Sequence, residues 1–189
     1  MHISDPQLDA LVRTPWLLHA ARETLLVRPS EARDLAAVAR MHGRCSPRSL
    51  LDRYRRGGRP PSVAALDRAL RGPYCVVVVT SSGEVVAHGA LEPDPAHDEH
   101  CADVGLLVED ARQRRGIGTE VLTHLAGVAR SAGCRELIGY PATAVAPAQR
   151  LMLEVGRTRM VTGADAHLHT QLSESASLGL GAVRQRLAG

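Results

Sequence analysis

Lysine is absent from this 189-residue chain; all 23 basic side chains are arginine. The usage fits the codon bias of a GC-rich genome and leaves no lysine side chain to be modified. Phenylalanine is absent too, with one tryptophan and three tyrosines. That argues against a nucleic-acid binder that stacks bases on aromatic platforms, and it makes leucine, valine and alanine the core. The four cysteines, Cys45, Cys75, Cys101 and Cys134, stand far apart. They form no CxxC pair and no zinc pattern, so free thiols in a reducing cytoplasm are expected and no metal site is. Residues 1–25 lack a basic start followed by an apolar run, and no stretch approaches the roughly 18 apolar residues of a membrane span. A net charge of +3 does not suggest a polyanion partner, although it tolerates an anionic ligand.

What is present is enough apolar surface for one ordinary domain: 44% of the residues are hydrophobic. Residues 1–23 read as an N-terminal extension, with a short helix around Trp16. "TLLVRP" (24–29) reads as a strand. Ser30, Ser46 and Ser62 are placed to cap three helices, the second with Pro47 at its first position. On the second, Leu50, Leu51 and Tyr54 share one face, and the third carries Val63, Leu66 and Leu70. "YCVVVVT" (74–80), "EVVAHGALE" (84–92) and "ADVGLLVE" (102–109) form a short-looped antiparallel meander. A helix over about 118–132, a strand at "RELIGY" (135–140), a short helix from Pro147 and a hairpin of "TRMV" and "AHLHTQL" follow. The domain spans 24–172, and 173–189 is a tail.

The stretch built to hold a ligand is "QRRGIGTE" (113–120), between a strand and a helix. A helix N-terminus presents unpaired N–H groups and the positive end of its dipole, and glycine lets an anion approach that backbone closely. Arg114 and Arg115 add positive charge, so the chemistry suits a phosphate or pyrophosphate. A P-loop would need a Lys-Ser/Thr pair where Thr119-Glu120 stands. A Rossmann fingerprint would need a third glycine at Val121 and repeated βαβ units upstream, although Glu136 lies at a suitable distance for a ribose contact.

Gln113-Arg114-Arg115-Gly116-Ile117-Gly118 completely fills a third pattern, Gln/Arg-x-x-Gly-x-Gly/Ala. With the preceding "LLVED" strand and the order of elements, the chain resembles the GNAT superfamily of acyl-CoA-dependent N-acyltransferases over roughly 24–172. Within it, "MHGRCSPRSLLDRY" (41–54) and "DVGLLVEDARQRRGIG" (103–118) resemble the catalytic domain of bacterial protein lysine acetyltransferases. The resemblance implies a mixed α/β fold with a mostly antiparallel central sheet flanked by helices, and acetyl-CoA as acyl donor. The backbone amides of about Gln113 to Thr119, through Arg114, Arg115, Gly116, Ile117 and Gly118, would cradle its pyrophosphate. Leu106, Leu107 and Val108 would offer a strand edge to its pantetheine arm, with an amide near Leu107 or Val108 as oxyanion donor.

The family's general base maps to Asp103, which strand alternation places on one face with Gly105, whose missing side chain leaves space for an acyl group. Glu92, Asp98 and Glu99 are reserve carboxylates. Where many members have Asn, Tyr and Gly-Phe in the second half, this chain has Val145, Met152 and Gly156-Arg157, so Tyr140 becomes the candidate to protonate the leaving thiolate. "HDEH" (97–100) reads as a loop, His167 and His169 as the outer face of the hairpin, and Cys134 as inert. The expected activity is direct acetyl transfer to a primary amine, either a protein lysine or a small molecule. A GNAT-like domain that binds acyl-CoA as a sensor is the alternative. Neither nucleic acid nor membrane is an expected partner, and a homodimer is compatible with the family.

Overall fold

The computed structural model describes residues 6–20, 23–55, 57–94, 97, 100–143, 145–163, 165–173 and 185–186. Its helices are α1 (Pro6–Arg13), α2 (Leu35–Gly43), α3 (Pro47–Tyr54), α4 (Val63–Leu70), α5 (Ile117–Ser131) and α6 (Val145–Leu153). Its strands are β1 (Trp16–Ala20), β2 (Glu23–Pro29), β3 (Cys75–Val79), β4 (Val85–Pro93), β5 (Cys101–Val108), β6 (Glu136–Gly139), β7 (Gly156–Val161), β8 (His167–Leu172) and β9 (Gln185–Arg186). Among the described residues they form one sheet in the order β7-β8-β6-β5-β4-β3-β2-β1-β9. Every pairing is antiparallel except β5 with β6, which are joined by the crossover helix α5. This is the mixed α/β architecture that the sequence pattern implies.

Helices cover both faces of the sheet, which explains the unbroken valine run of β3. Val76 and Val78 face the layer of α1, α5 and α6, while Cys75, Val77 and Val79 face α2 and α4. A strand buried on both sides reads as continuous apolar sequence rather than an alternation. The core is aliphatic, led by Leu18, Leu25, Leu122, Leu125, Leu137, Ile138 and Leu168. Gly89 admits α5: a Cβ there would stand 2.8 Å from Val121 Cγ1. Ser46 and Ser62 cap α3 and α4, their hydroxyls accepting from the amides of Ser49 and Ala65, each at 3.3 Å.

Several expectations are corrected. Trp16 lies in strand β1 and is buried, not in a helix; the helix of this segment is α1, ten residues earlier at its start. Trp16 to Ala20 pair with β2, where a 20-residue chain end alone could not show a partner. Ser30 does not cap α2. Its hydroxyl donates to Leu70 O (2.7 Å), and Glu31 with Asp34 forms a reciprocal capping box on a short 3-10 turn that leads into α2. On α4, Leu66 and Leu70 are buried, while Val63 points to solvent, 63% exposed. Most of the predicted tail, 174–184 and 187–189, lies outside the described residues.

Gly156 opens β7 so close to β8 that a Cβ would overlap Gln171 O and stand 2.8 Å from its carbonyl carbon. These are backbone atoms of a paired strand and cannot swing aside. Gly156→Ala should cost about 1–3 kcal/mol, read as a lower thermal midpoint in circular dichroism. An unchanged midpoint would contradict this packing.

Candidate active site

β5 pairs with β6 only through Cys101, Ala102 and Asp103. β6 ends at Gly139, whereas β5 runs on to Val108. From Val104 onward, β5 therefore has a free edge on the side away from β4. The antiparallel ladder with β4 decides which groups face it. Glu109 N donates to Val86 O on the β4 side, so by alternation Leu107 and Gly105 also turn their backbone groups to β4. Val104, Leu106 and Val108 turn theirs to the open edge. Leu107's amide is thus committed to the sheet and is not the free donor; Val108's lies on the open side. The edge forms one wall of a cleft of about 420 Å³, closed by α3, α5 and α6.

The glycine stretch forms the mouth of this cleft. Arg114 and Gly116 adopt left-handed backbone, with φ of 59° and 85°, and the chain turns directly into α5. The first intrahelical bond runs from Glu120 N to Gly116 O (3.1 Å). The amides of Ile117, Gly118 and Thr119 precede any helical acceptor, and no side chain caps them. A Cβ on Gly116 would meet nothing within 4 Å, so the backbone is open to a bulky anion.

Arg114, Gly116, Gly118 and Thr119 line the cleft. Arg115 is exposed but is not part of the lining, and Ile117's side chain is buried in the core. Gln113's part is a correction. Its own amide donates to Asp110 O (3.3 Å), and its side-chain amide donates to Val108 O (3.0 Å) and Ser49 Oγ (3.1 Å). Gln113 therefore braces the loop against β5 and α3 and does not offer a free backbone N–H.

Asp103 sits where the open edge begins. Burial pushes its carboxyl up to about 6; the nearby Arg53 charge opposes the rise, and Glu92 and Asp94 add to it. A carboxylate in that range is ionised at neutral pH yet basic enough to take a proton. Glu92 is directly across the ladder from Asp103 and is exposed; Asp98 and Glu99 lie outside the described residues. Tyr140 lines the same cleft, with its hydroxyl donating to Asp94 Oδ2 (3.3 Å). Burial, with the charges of Asp94 and Asp103, pushes that phenol up to about 12.

The space expected beside Gly105 is filled. A Cβ on Gly105 would overlap the guanidinium of Arg53, which reaches in from α3. Arg53 was invisible to strand periodicity because it belongs to another element. Asp52, its neighbour, accepts from the amide and hydroxyl (2.9 Å) of Thr143 and so ties α3 to the loop after β6 across the cleft. Among the described residues, no group of His, Cys, Asp and Glu has the arrangement of a metal site. His167 is buried, 5.1 Å from the His97 ring and 5.5 Å from that of Tyr140, so it does not lie on an outer face. Cys134 is buried, and burial raises its thiol pKa, as an inert cysteine requires.

The family model described as Acetyltransferase (GNAT) family matches residues 40–156. The chain belongs to the GNAT acetyltransferase family. The matched stretch contains the loop, Asp103 and every residue lining the cleft except Leu168. Solved GNAT structures share the fold. The GNAT domain of S. lividans PAT superposes with a TM-score of 0.73 at 21% identity, over 86% of this chain and 98% of its own. A GCN5-related N-acetyltransferase from Kribbella flavida gives 0.61 at 21%, over 78% and 98%. A phosphinothricin acetyltransferase from Sinorhizobium meliloti, solved in complex with AcCoA, gives 0.59 at 18%, over 82% and 90%. At these identities the likeness is one of fold. No curated relative matches the sequence.

The displaced pKa of Asp103 has a cost that can be measured. A carboxyl whose folded pKa lies above its unfolded value is stabilising, relative to its ionised form, below the unfolded value of 3.8. That contribution is lost as pH rises through about 6. Asp103→Asn should therefore raise stability at pH 8 by about 1–3 kcal/mol and change it little at pH 4. Equal effects at both pH values would contradict a buried, ionised Asp103.

Proposed function

We infer that this GNAT acetyltransferase moves an acetyl group from acetyl-CoA to a primary amine with both substrates bound together. The observation that carries the reading is the open edge of β5, which leads from a helix N-terminus with no side-chain cap to a half-buried carboxylate of raised pKa. The residues present fit the donor. The amides of Ile117, Gly118 and Thr119, the Arg114 charge and the helix dipole suit a pyrophosphate. The backbone of Val104, Leu106 and Val108 suits an extended, amide-bearing arm. When bound, acetyl-CoA supplies an activated thioester, whose C–S bond breaks as the amine nitrogen bonds to the carbonyl carbon.

The chain's own residues then manage protons and charge. An alkylamine near pKa 10.4 arrives mostly protonated at neutral pH, and Asp103 removes the proton, directly or through one water. The amide at Val108, on the open side, is the donor placed to face a developing oxyanion. Tyr140 is a weak acid in this setting. Its pKa of about 12 lies above the roughly 8.5 of a free thiol, so it would not give its proton to a thiolate readily. Its part is to fix Asp94 beside Asp103, and the thiolate, a good leaving group, takes its proton from solvent. The acceptor in this reading is a protein lysine or a small-molecule amine.

The departures at Val145, Met152 and Gly156-Arg157 favour a second reading, a domain that binds acyl-CoA without turnover. Asp103→Asn separates the two. For the enzyme, CoA release should fall by about 10²–10⁴-fold while acetyl-CoA affinity stays within about twofold. The native kcat/KM for the amine should also lose activity below about pH 6, the value of Asp103. Indifference of turnover to the substitution would remove Asp103 from the role of base.

A further inference from the structure

We propose that the acceptor is a small amine that also carries an anionic group, a carboxylate or a phosphate-like oxyanion, held by Arg53, Arg59 and Arg68. The proposal rests on the acetyltransfer reading above and names the substrate class of that same site.

Arg53 lines two clefts at once. On one side is the cleft of Asp103 and Gly105; on the other is a second cleft of about 650 Å³ between α3, the segment after it and α4. Arg59 and Arg68 line the second cleft, with Pro60 and Pro61 beside them and Glu92 at its β4 wall. Glu92 stands across the ladder from Asp103. The two clefts thus share Arg53, and the paired Glu92 and Asp103 line one each.

Among the described residues, none of Arg53, Arg59 and Arg68 forms an ion pair. Arg53 Nε is buried without a hydrogen-bond acceptor. A buried donor left unmet costs about 1–3 kcal/mol, so a ligand that supplies an acceptor relieves that cost. The guanidinium is held in place from below. Its carbon lies 4.9 Å from the centre of the Tyr54 ring, and the Tyr54 hydroxyl donates to His42 Nε2 (2.6 Å). His42 Nδ1 in turn donates to Val38 O (2.7 Å), which makes Nε2 the acceptor.

These charges discriminate among amines. A plain alkylammonium entering the second cleft would meet three guanidiniums and one carboxylate. An amine with its own anionic group brings the compensating charge and matches the planar fork of an arginine. Its ammonium end is then drawn toward Glu92 and Asp103. A cleft of about 650 Å³ bordered by Pro60 and Pro61 has room for a small molecule.

The test is CoA release with matched amines at saturating acetyl-CoA: lysine against cadaverine, tyrosine against tyramine, and phosphoethanolamine against ethanolamine. The anionic member of at least one pair should show a kcat/KM about tenfold or more above its partner. In the double variant Arg59→Gln/Arg68→Gln, whose sites are exposed, KM for that anionic amine should rise about tenfold. The KM for the partner without the anionic group, and the affinity for acetyl-CoA measured by calorimetry on both proteins, should change less than about twofold. Preference for the partner without the anionic group would overturn the proposal and leave acetyltransfer intact. So would a lysine peptide outperforming every small amine, or no turnover of any anionic amine by protein that binds acetyl-CoA. Failure of the native protein to bind acetyl-CoA would instead overturn the reading on which the proposal rests.

Discussion

The parting of β5 from β6 after Asp103 is the constraint on which the rest of the site depends. Two parallel strands that stayed paired to Val108 would bury the backbone edge in a ladder, and no cleft would exist. Pairing stops after three residues because β6 is only four residues long and the chain leaves it at Tyr140-Pro141. Proline has no N–H to continue a ladder. The free edge, the cavity beside it and the position of α5 all follow. Asp52 and Gln113 then hold the opening in shape, the first by joining α3 to Thr143 and the second by joining the loop to Val108 and Ser49.

The same geometry sets the electrostatics. Cationic and dipolar groups collect at the N-terminus of α5, where three amides precede the first helical acceptor. Carboxylates collect at the far end, where Glu92 and Asp94 add to the cost of ionising Asp103. Between the ends lies Arg53, close enough to Asp103 to oppose that rise yet not paired with it. The site is thus polarised along β5, positive at the end proposed for the phosphates and basic in the Brønsted sense at the end proposed for the amine. Such an arrangement stores free energy unfavourably in the fold, as catalytic carboxylates commonly do.

Much of this was legible in the sequence, and the parts that were not share one cause. The meander, α5 and the closing hairpin follow from local periodicity, and the loop follows from glycine, arginine and a helix start within six residues. Asp103 comes from its match to the family's base position, and alternation along the strand supplies only the face it shares with Gly105. What local pattern could not show is contact between distant elements. Arg53 on α3 fills the space that Gly105 on β5 leaves, so that glycine makes room for a guanidinium. His167 turns inward because His97 and Tyr140 lie against it. Trp16 joins the sheet because β2 offers it an edge, and Gln113's contacts come from Ser49, sixty-odd residues earlier. In each case a tertiary neighbour overrides the reading of the segment alone.

The central claim, that the cleft receives a coenzyme A thioester with its diphosphate on the amides of α5, is tested most directly by calorimetry. Acetyl-CoA would be titrated into the native protein and into Gly116→Glu. No protein atom lies within 4 Å of the Cβ added at Gly116, and the left-handed backbone there should cost the fold only about 1–2 kcal/mol. The native protein should bind one equivalent, and the variant should bind at least about tenfold more weakly. Absence of binding to the native protein, or equal affinity in both, would contradict the account.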